Sequence, residues 1–182
     1  KPVDIAIIEA VAITETGGIV PTTSVGNSAS FAILADKVII EINVSQPATL
    51  EGLHDIYIPA RRPTRMPIPI VTPESRVGLP FIPIPPEKIV AIVVSEKQDS
   101  SSTILPPDAE TNAIAGHLSD FLLNEVKQGR LGYELQPLQA GIGTIANAVL
   151  HGFIDTPFHD LKMYSEVLQD STFELIDSGK MT

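Results

Sequence analysis

Three short runs constrain this chain more than anything else in it: VDIAII at residues 3–8, KVIIEINV at 37–44 and KIVAIVV at 88–94. Each is rich in β-branched side chains and apolar almost without interruption, whereas a strand with one wet face would alternate. Such runs suit the buried strands of a parallel sheet, and parallel strands need long crossover connections, usually helices. The expected fold class is therefore α/β, with open, mostly parallel sheets and flanking helices. At 182 residues and 43% hydrophobic composition, the chain can bury a core of that kind.

The segments between the runs supply the punctuation. Gly17-Gly18 turns the chain, and NSASFAILA offers a short helix with Asn27 or Ser28 as cap. Pro59 to Pro86 is too proline-dense for regular structure and reads as an extended, semi-rigid loop. The polar, then Pro-rich VVSEKQDSSSTILPP follows, and a domain boundary is placed at residues 95–107. Beyond it comes the clearest helix: Asp108 is a fitting N-cap, Ile114, Leu118, Phe121, Leu122 and Val126 form one apolar stripe, and Gly129 supplies the stop. The chain opens on an apolar run without Met and stops at SGKMT, just where an α/β chain would start another strand, so a piece of a longer protein is expected.

Charge and composition exclude several functions. A formal net charge of −10 argues against a phosphate-binding surface, so no nucleic-acid partner is expected. With no cysteine there are neither disulfides nor thiolate chemistry. No apolar run reaches about 18 residues, and the start lacks a signal-peptide pattern, so the expectation is a cytoplasmic protein without a membrane partner.

Two stretches near the C-terminal end carry chemistry. In YELQPLQAGIGTIANAVLHG, LQPLQA can run as a strand despite Pro137, Gly141-Ile142-Gly143 makes a tight turn, and TIANAVL begins a helix with Thr144 as a possible cap. Backbone N–H groups at such a turn are unpaired and favour an anion or a developing oxyanion. A lone G-x-G is a weak signal, and a turn with close helix packing explains it equally. About twenty residues on, LKMYSE repeats the pattern as a strand delivering Glu166 before the helix-like VLQDSTFELIDSG. Ligands bind outside the carboxyl ends of parallel strands, so neighbouring strands would bring the turn and the carboxylate to one edge. Taken alone, Glu166 is also explained as an acidic residue at a helix N-terminus favoured by the macrodipole.

Other candidates are weaker. His151, Asp155 and His159 recur at intervals of four, but Gly152 and Pro157 interrupt the helix that metal ligation would need, so no metal is expected. His54 and His117 lack spaced partners and read as structural, and Ser165 has no identifiable base.

EGLHDIY, PPDAETNAIAGHLSDFLLNEVKQGRL, PLQAGIGTIANAVL and YSEVLQDSTFELIDSGK, in this order along the chain, closely resemble the acetyl-CoA hydrolase/transferase family, the class I CoA-transferases, and the resemblance covers nearly the whole chain. Members of this family are longer and have two related α/β domains. The resemblance implies that residues 1–94 are the later part of the first domain, 95–107 a linker, and 108–182 the early part of the second. It implies that Glu166 is a nucleophile that attacks an acyl-CoA thioester and passes through an acyl-glutamyl anhydride to a glutamyl-CoA thioester. It also implies that Ile142 offers its backbone N–H to the oxyanion, with Gly141, Ile142, Gly143, Thr144 and Ile145 lining the CoA thioester. The family more often has Ser and Asn or Ser where this chain has Ala140 and Thr144, which touches side-chain contacts but not backbone ones. The reaction so implied is transfer of CoA between short-chain acyl-CoA and carboxylate, acetyl-CoA or succinyl-CoA with acetate or succinate. Coenzyme A is then a substrate, and no cofactor is permanently bound. Acetyl-CoA hydrolysis stays open as the alternative, as does an inactive folded fragment that at most binds CoA thioesters. The 182 residues alone are expected to be inactive, and a homodimer of the intact protein is left open. Arg61, Arg62 and Arg65, the one basic cluster, read as a solvated loop, with contact to CoA phosphates as the alternative.

Overall fold

The computed structural model describes residues 3–100 and 105–182, which fall into two compact units, Lys1–Ser100 and Ser101–Thr182. The 101–104 part of the expected linker lies outside the described residues.

In the first unit the apolar runs become β1 (Val3–Ile13), β3 (Ala35–Asn43) and β4 (Ile89–Ser95) of a four-stranded open sheet, joined by a short β2 (Ile19–Pro21). The spatial order is β2-β1-β3-β4. β1, β3 and β4 are mutually parallel, with Ile7 opposite Ile39 and Ile40 opposite Ile92, whereas β2 returns antiparallel beside β1. The sheet is thus mixed, with its one antiparallel strand at an edge. β2 is too short to show a periodic pattern, which is why the sequence did not announce it. Its hairpin closes where Thr14 N–H donates to Gly18 O at 2.8 Å, Gly17 N–H donates to Thr14 O at 2.9 Å and the Thr14 hydroxyl accepts from Gly18 N–H at 2.8 Å. Gly17 is required there, with φ +87° and Pro86 packed within 2.8 Å of where a Cβ would stand.

Side chains alternate along the strands as the pleat demands. Ala6, Ile8 and Ala10 of β1 and Val38 and Ile40 of β3 are buried on one face beneath Ala32 of helix α1 (Ser28–Leu34). Asn27 is the N-cap residue of α1 but makes no side-chain cap bond. The sheet is less covered than its apolar sequence suggests: Ile7 on the other face is 68% exposed, and on the edge strand β4 Val90, Ile92 and Val94 are exposed too. The proline-dense segment forms no regular element between residues 51 and 85, as expected. It nevertheless returns to the core, where Ile82 exchanges backbone hydrogen bonds with Ile19 and is fully buried. At the carboxyl end of the sheet, Glu9 accepts from Thr22 Oγ1 and Asn43 Nδ2, both at 2.7 Å, and Asn43 holds the backbone of Lys97.

The second unit is built on helices α2 (Ala109–Lys127), α3 (Thr144–Gly152) and α4 (Asp170–Asp177). Asp108 caps α2 reciprocally with Thr111, and the Thr111 N–H holds its carboxyl below the usual carboxylate range. The helix ends at Gln128 with Gly129 at φ +70°. Its buried face differs from the expected stripe. Ala115 and Ser119 are inside and Leu122 and Val126 pack on the core, while Ile114, Leu118 and Phe121 are exposed. Helices α2 and α3 meet at Ala115 and Gly152, where a Cβ on Gly152 would stand 3.6 Å from that of Ala115, an ordinary contact. Phe153, Phe158, Leu161 and Leu175 fill the core.

A second sheet is barely formed. The expected strands LQPLQA and LKMYSE pair only through the parallel bridges Leu138 to Met163 and Leu161 to Met181. Pro137, lacking an N–H, precludes a longer ladder on its side. Among the described residues no helix is long and apolar enough to cross a membrane.

Ile40, fully buried at the centre of the sheet, tests the core. Ile40→Ala is expected to lower the unfolding free energy by about 2–5 kcal/mol. Val71→Ala, at a side chain that is 88% exposed, should change it by no more than about 0.5 kcal/mol. Denaturant titration of both variants against the parent measures the difference.

Candidate functional site

The residues singled out for chemistry lie in two segments of the second unit, one leaving Leu138 and the other leaving Met163. Leu138 N–H donates to Lys162 O and Leu138 O accepts from Tyr164 N–H, each at 2.9 Å. Because this pairing is parallel, both segments leave at the same end. The turn at 140–143 and the bend at Glu166 therefore both follow the carboxyl side of this one parallel bridge.

One bridge is too little to fix such segments, and side chains complete the connection. Ser165 Oγ donates to Ala140 O at 2.8 Å and accepts from Ala140 N–H at 3.2 Å. Gln169, only 4% exposed, donates from Nε2 to Gly141 O at 2.9 Å and accepts at Oε1 from Gly143 N–H at 3.1 Å. The amide orientation is dictated by its partners, since reversal would face donor to donor and acceptor to acceptor. These two residues bracket Glu166.

Gly143 has φ +143°, which a β-branched side chain would not tolerate, whereas Gly141 has ordinary dihedrals and open space at its Cβ position. Gly143, rather than the expected Thr144, is the N-cap of α3, and no side chain caps this end. Its carbonyl already accepts from Asn147 N–H at 3.0 Å, so the helix starts one residue earlier and Thr144 is its first residue. Gly141, Ile142, Gly143, Thr144 and Ile145 together line a cavity of about 740 Å³ walled by Leu118, Leu122, Leu138, Val149 and Phe153. Leu118 and Leu122 of the α2 stripe thus face this cavity. Ile142 is 73% exposed, and among the described residues its N–H has no partner.

Glu166 sits in a bend, exposed, with no hydrogen bond or ion pair among the described residues, and is not part of the cavity wall. The helix expected directly after it starts later: Val167 to Gln169 stay non-helical and α4 begins at Asp170 with Gln169 as N-cap. Glu166 is therefore outside the first turn of α4, where Asp170 is the acidic residue. The macrodipole acts within that turn and does not account for Glu166.

The remaining candidates are dispersed. His151 pairs with Glu174 at 2.6 Å across α3 and α4, and His159 pairs with Asp160 and stacks on Tyr133. Among the described residues no group of three potential metal ligands converges. His54 Nε2 donates to Pro21 O at 2.8 Å, a structural bond, while His117 is exposed on α2. Arg61, Arg62 and Arg65 are exposed and line a cavity of about 450 Å³ beside α1 in the first unit.

Sequence reasoning missed the parts played by Ser165 and Gln169. The available signal was a Gln at a helix N-cap, where Ser, Thr, Asp and Asn are preferred; a residue poor at capping its own helix is free to bond elsewhere.

Known proteins bear on this arrangement. Residues 1–94 match the family model "Acetyl-CoA hydrolase/transferase N-terminal domain". The chain is 48% identical over 178 residues to succinyl-CoA:acetate CoA-transferase of Clostridium kluyveri, covering 98% of this chain and 33% of that protein. It is 48% identical over 181 residues to acetyl-CoA hydrolase of Saccharomyces cerevisiae, covering 100% and 34%. Among solved structures, 4-hydroxybutyrate CoA-transferase of Porphyromonas gingivalis matches with a TM-score of 0.62 at 19% identity, covering 99% of this chain and 35% of that one. RipA of Yersinia pestis also matches at 0.62 and 19%, covering 98% and 32%. The fold is thus shared with CoA-transferases, and the chain spans about a third of the length of the relatives it matches. With the family model covering more than half of its residues, the chain belongs to the acetyl-CoA hydrolase/transferase family, a family of enzymes.

Proposed function

We propose that the intact protein transfers CoA between a short-chain acyl-CoA and a carboxylate, with Glu166 as the covalent nucleophile. The observation that carries this reading is the bracketing of Glu166 by Ser165 and Gln169, both bonded to the turn whose Ile142 N–H is unpaired. A carboxylate and a backbone donor are thereby tied to one network on the carboxyl side of two segments joined by a parallel bridge, the side on which open α/β sheets bind ligands.

In the proposed reaction a Glu166 oxygen attacks the thioester carbonyl, and the charge that develops on the carbonyl oxygen is met by Ile142 N–H. The CoA thiolate leaves, giving an acyl-glutamyl anhydride. The thiolate then attacks the glutamyl carbonyl, releasing the first carboxylate and leaving a glutamyl-CoA thioester. An incoming carboxylate runs both steps in reverse, and Glu166 is regenerated. Acetyl and succinyl groups fit the names of the relatives, and all exchanged species are activated acyl groups of similar energy. Hydrolysis is the second reading: Glu166 is exposed, so water reaches it, and water in place of the second carboxylate ends the cycle as free acid and CoA. Gly141 to Ile145, on the wall of an otherwise aliphatic cavity, are assigned to the thioester end of the substrate.

In the intact protein incubated with acyl-CoA and borohydride, which reduces a glutamyl thioester, peptide mapping is expected to find the modification on Glu166. Glu166→Ala is expected to lose turnover by a factor on the order of 10⁴ or more. A modification elsewhere, or undiminished turnover in the variant, overturns the assignment.

Gly143→Val forces a β-branched residue to φ +143° and should displace the turn. Its turnover is expected to fall by a factor on the order of 100 or more, comparable to removing one oxyanion donor, in a protein that still folds. Steady-state kinetics beside a melting curve check this.

A further inference from the structure

We infer that Gln169 is a positioning residue that aims the Ile142 N–H at the reacting carbonyl, an inference that rests on the reading of Glu166 and Ile142 just given. The peptide joining Gly141 to Ile142 is trans, and a trans peptide sets its N–H antiparallel to its C=O. Gly141 C=O is held by Gln169 Nε2 at 2.9 Å, so Ile142 N–H is turned to the opposite side. The second Gln169 bond, from Gly143 N–H to Oε1 at 3.1 Å, fixes the other end of the same residue. One planar amide thus bonds the C=O before Ile142 and the N–H after it, as a neighbouring strand would.

This division selects the donor. Gly143 N–H is taken by Gln169, while Ile142 N–H has no partner among the described residues. Ser165 works in the same sense on the preceding peptide, where Ala140 C=O accepts its hydroxyl. Burial gives Gln169 its leverage: at 4% exposure, water does not readily replace either bond, and losing one leaves a buried polar group unsatisfied. No other described side chain is bonded to Gly141 or Gly143.

The test uses the intact protein with Gln169→Glu and Gln169→Ala. A carboxylate at this position accepts from Gly143 N–H but has nothing to donate to Gly141 O; the protonated acid, nearly the same shape as the amide, restores both bonds. The kcat of Gln169→Glu at neutral pH is expected to fall by about 10- to 100-fold, with KM for acyl-CoA changed by less than about threefold, since an oxyanion donor acts in the transition state. Its activity relative to wild type at the same pH should rise as pH falls, whereas that of Gln169→Ala should stay low and flat. Hydrogen exchange of residues 138–146 should quicken in Gln169→Ala, a readout independent of turnover. Wild-type kcat in either variant with the borohydride adduct still on Glu166 overturns the role of Gln169 and leaves the nucleophile standing. An adduct absent from Glu166 in wild type overturns both, and a pH-independent loss of equal size in both variants overturns the positioning role in favour of a structural one.

Discussion

The two segments that carry the candidate site are tied together by four hydrogen bonds from two side chains. Ser165 and Gln169 stand in for a sheet that is one bridge deep between Leu138 and Met163. A single parallel bridge cannot hold two loops in register, because ordering each loop residue costs about 1–2 kcal/mol of backbone entropy. A hydroxyl and an amide that bond backbone groups supply the missing pairing with no more strand. They do so on either side of Glu166, so its segment is fixed at the residue before it and at the third residue after it.

This substitution of side chains for ladder explains which parts of the chain were legible from sequence. The runs of β1, β3 and β4 announced themselves because long apolar strands have a signal in composition, and α2 did so through Asp108 and Gly129. β2 escaped because three residues carry no period. The face of α2 was misjudged because large side chains were taken as the buried ones, whereas the small Ala115 and Ser119 are the buried residues of the helix. In the site, the turn and Glu166 could be named from their spacing and the resemblance. The contacts of Gln169 with Gly141 and Gly143, 28 and 26 residues away in sequence, could not, because nothing local to either segment records them.

The two glycines of the turn now separate by physical role. Gly143 is demanded by the backbone, whose φ of +143° lies where only glycine is at ease. Gly141 has no such demand, and no atom lies within 4 Å of its missing Cβ. A side chain there costs the free fold little, so a requirement for glycine at 141 would originate in a ligand that approaches the backbone closely. Open space over Gly141 on the wall of the cavity is consistent with the thioester end being placed there in the proposed function.

The relatives divide between CoA-transferase and acetyl-CoA hydrolase at equal identity to this chain, so overall similarity does not discriminate the two outcomes. In the proposed chemistry the distinction arises after the shared covalent step. The nucleophile and the Ile142 donor serve either reaction, because each acceptor, carboxylate or water, attacks an acyl carbon at the same place. What differs is how long the activated glutamyl group survives in contact with water, and so whether a carboxylate arrives first. Exclusion of water is a property of whatever lies over an exposed side chain rather than of the network beneath it. Ser165, Gln169 and the turn can therefore be common to enzymes of both names, while the outcome is set by groups above Glu166 that neither bond the turn nor take part in the first transfer.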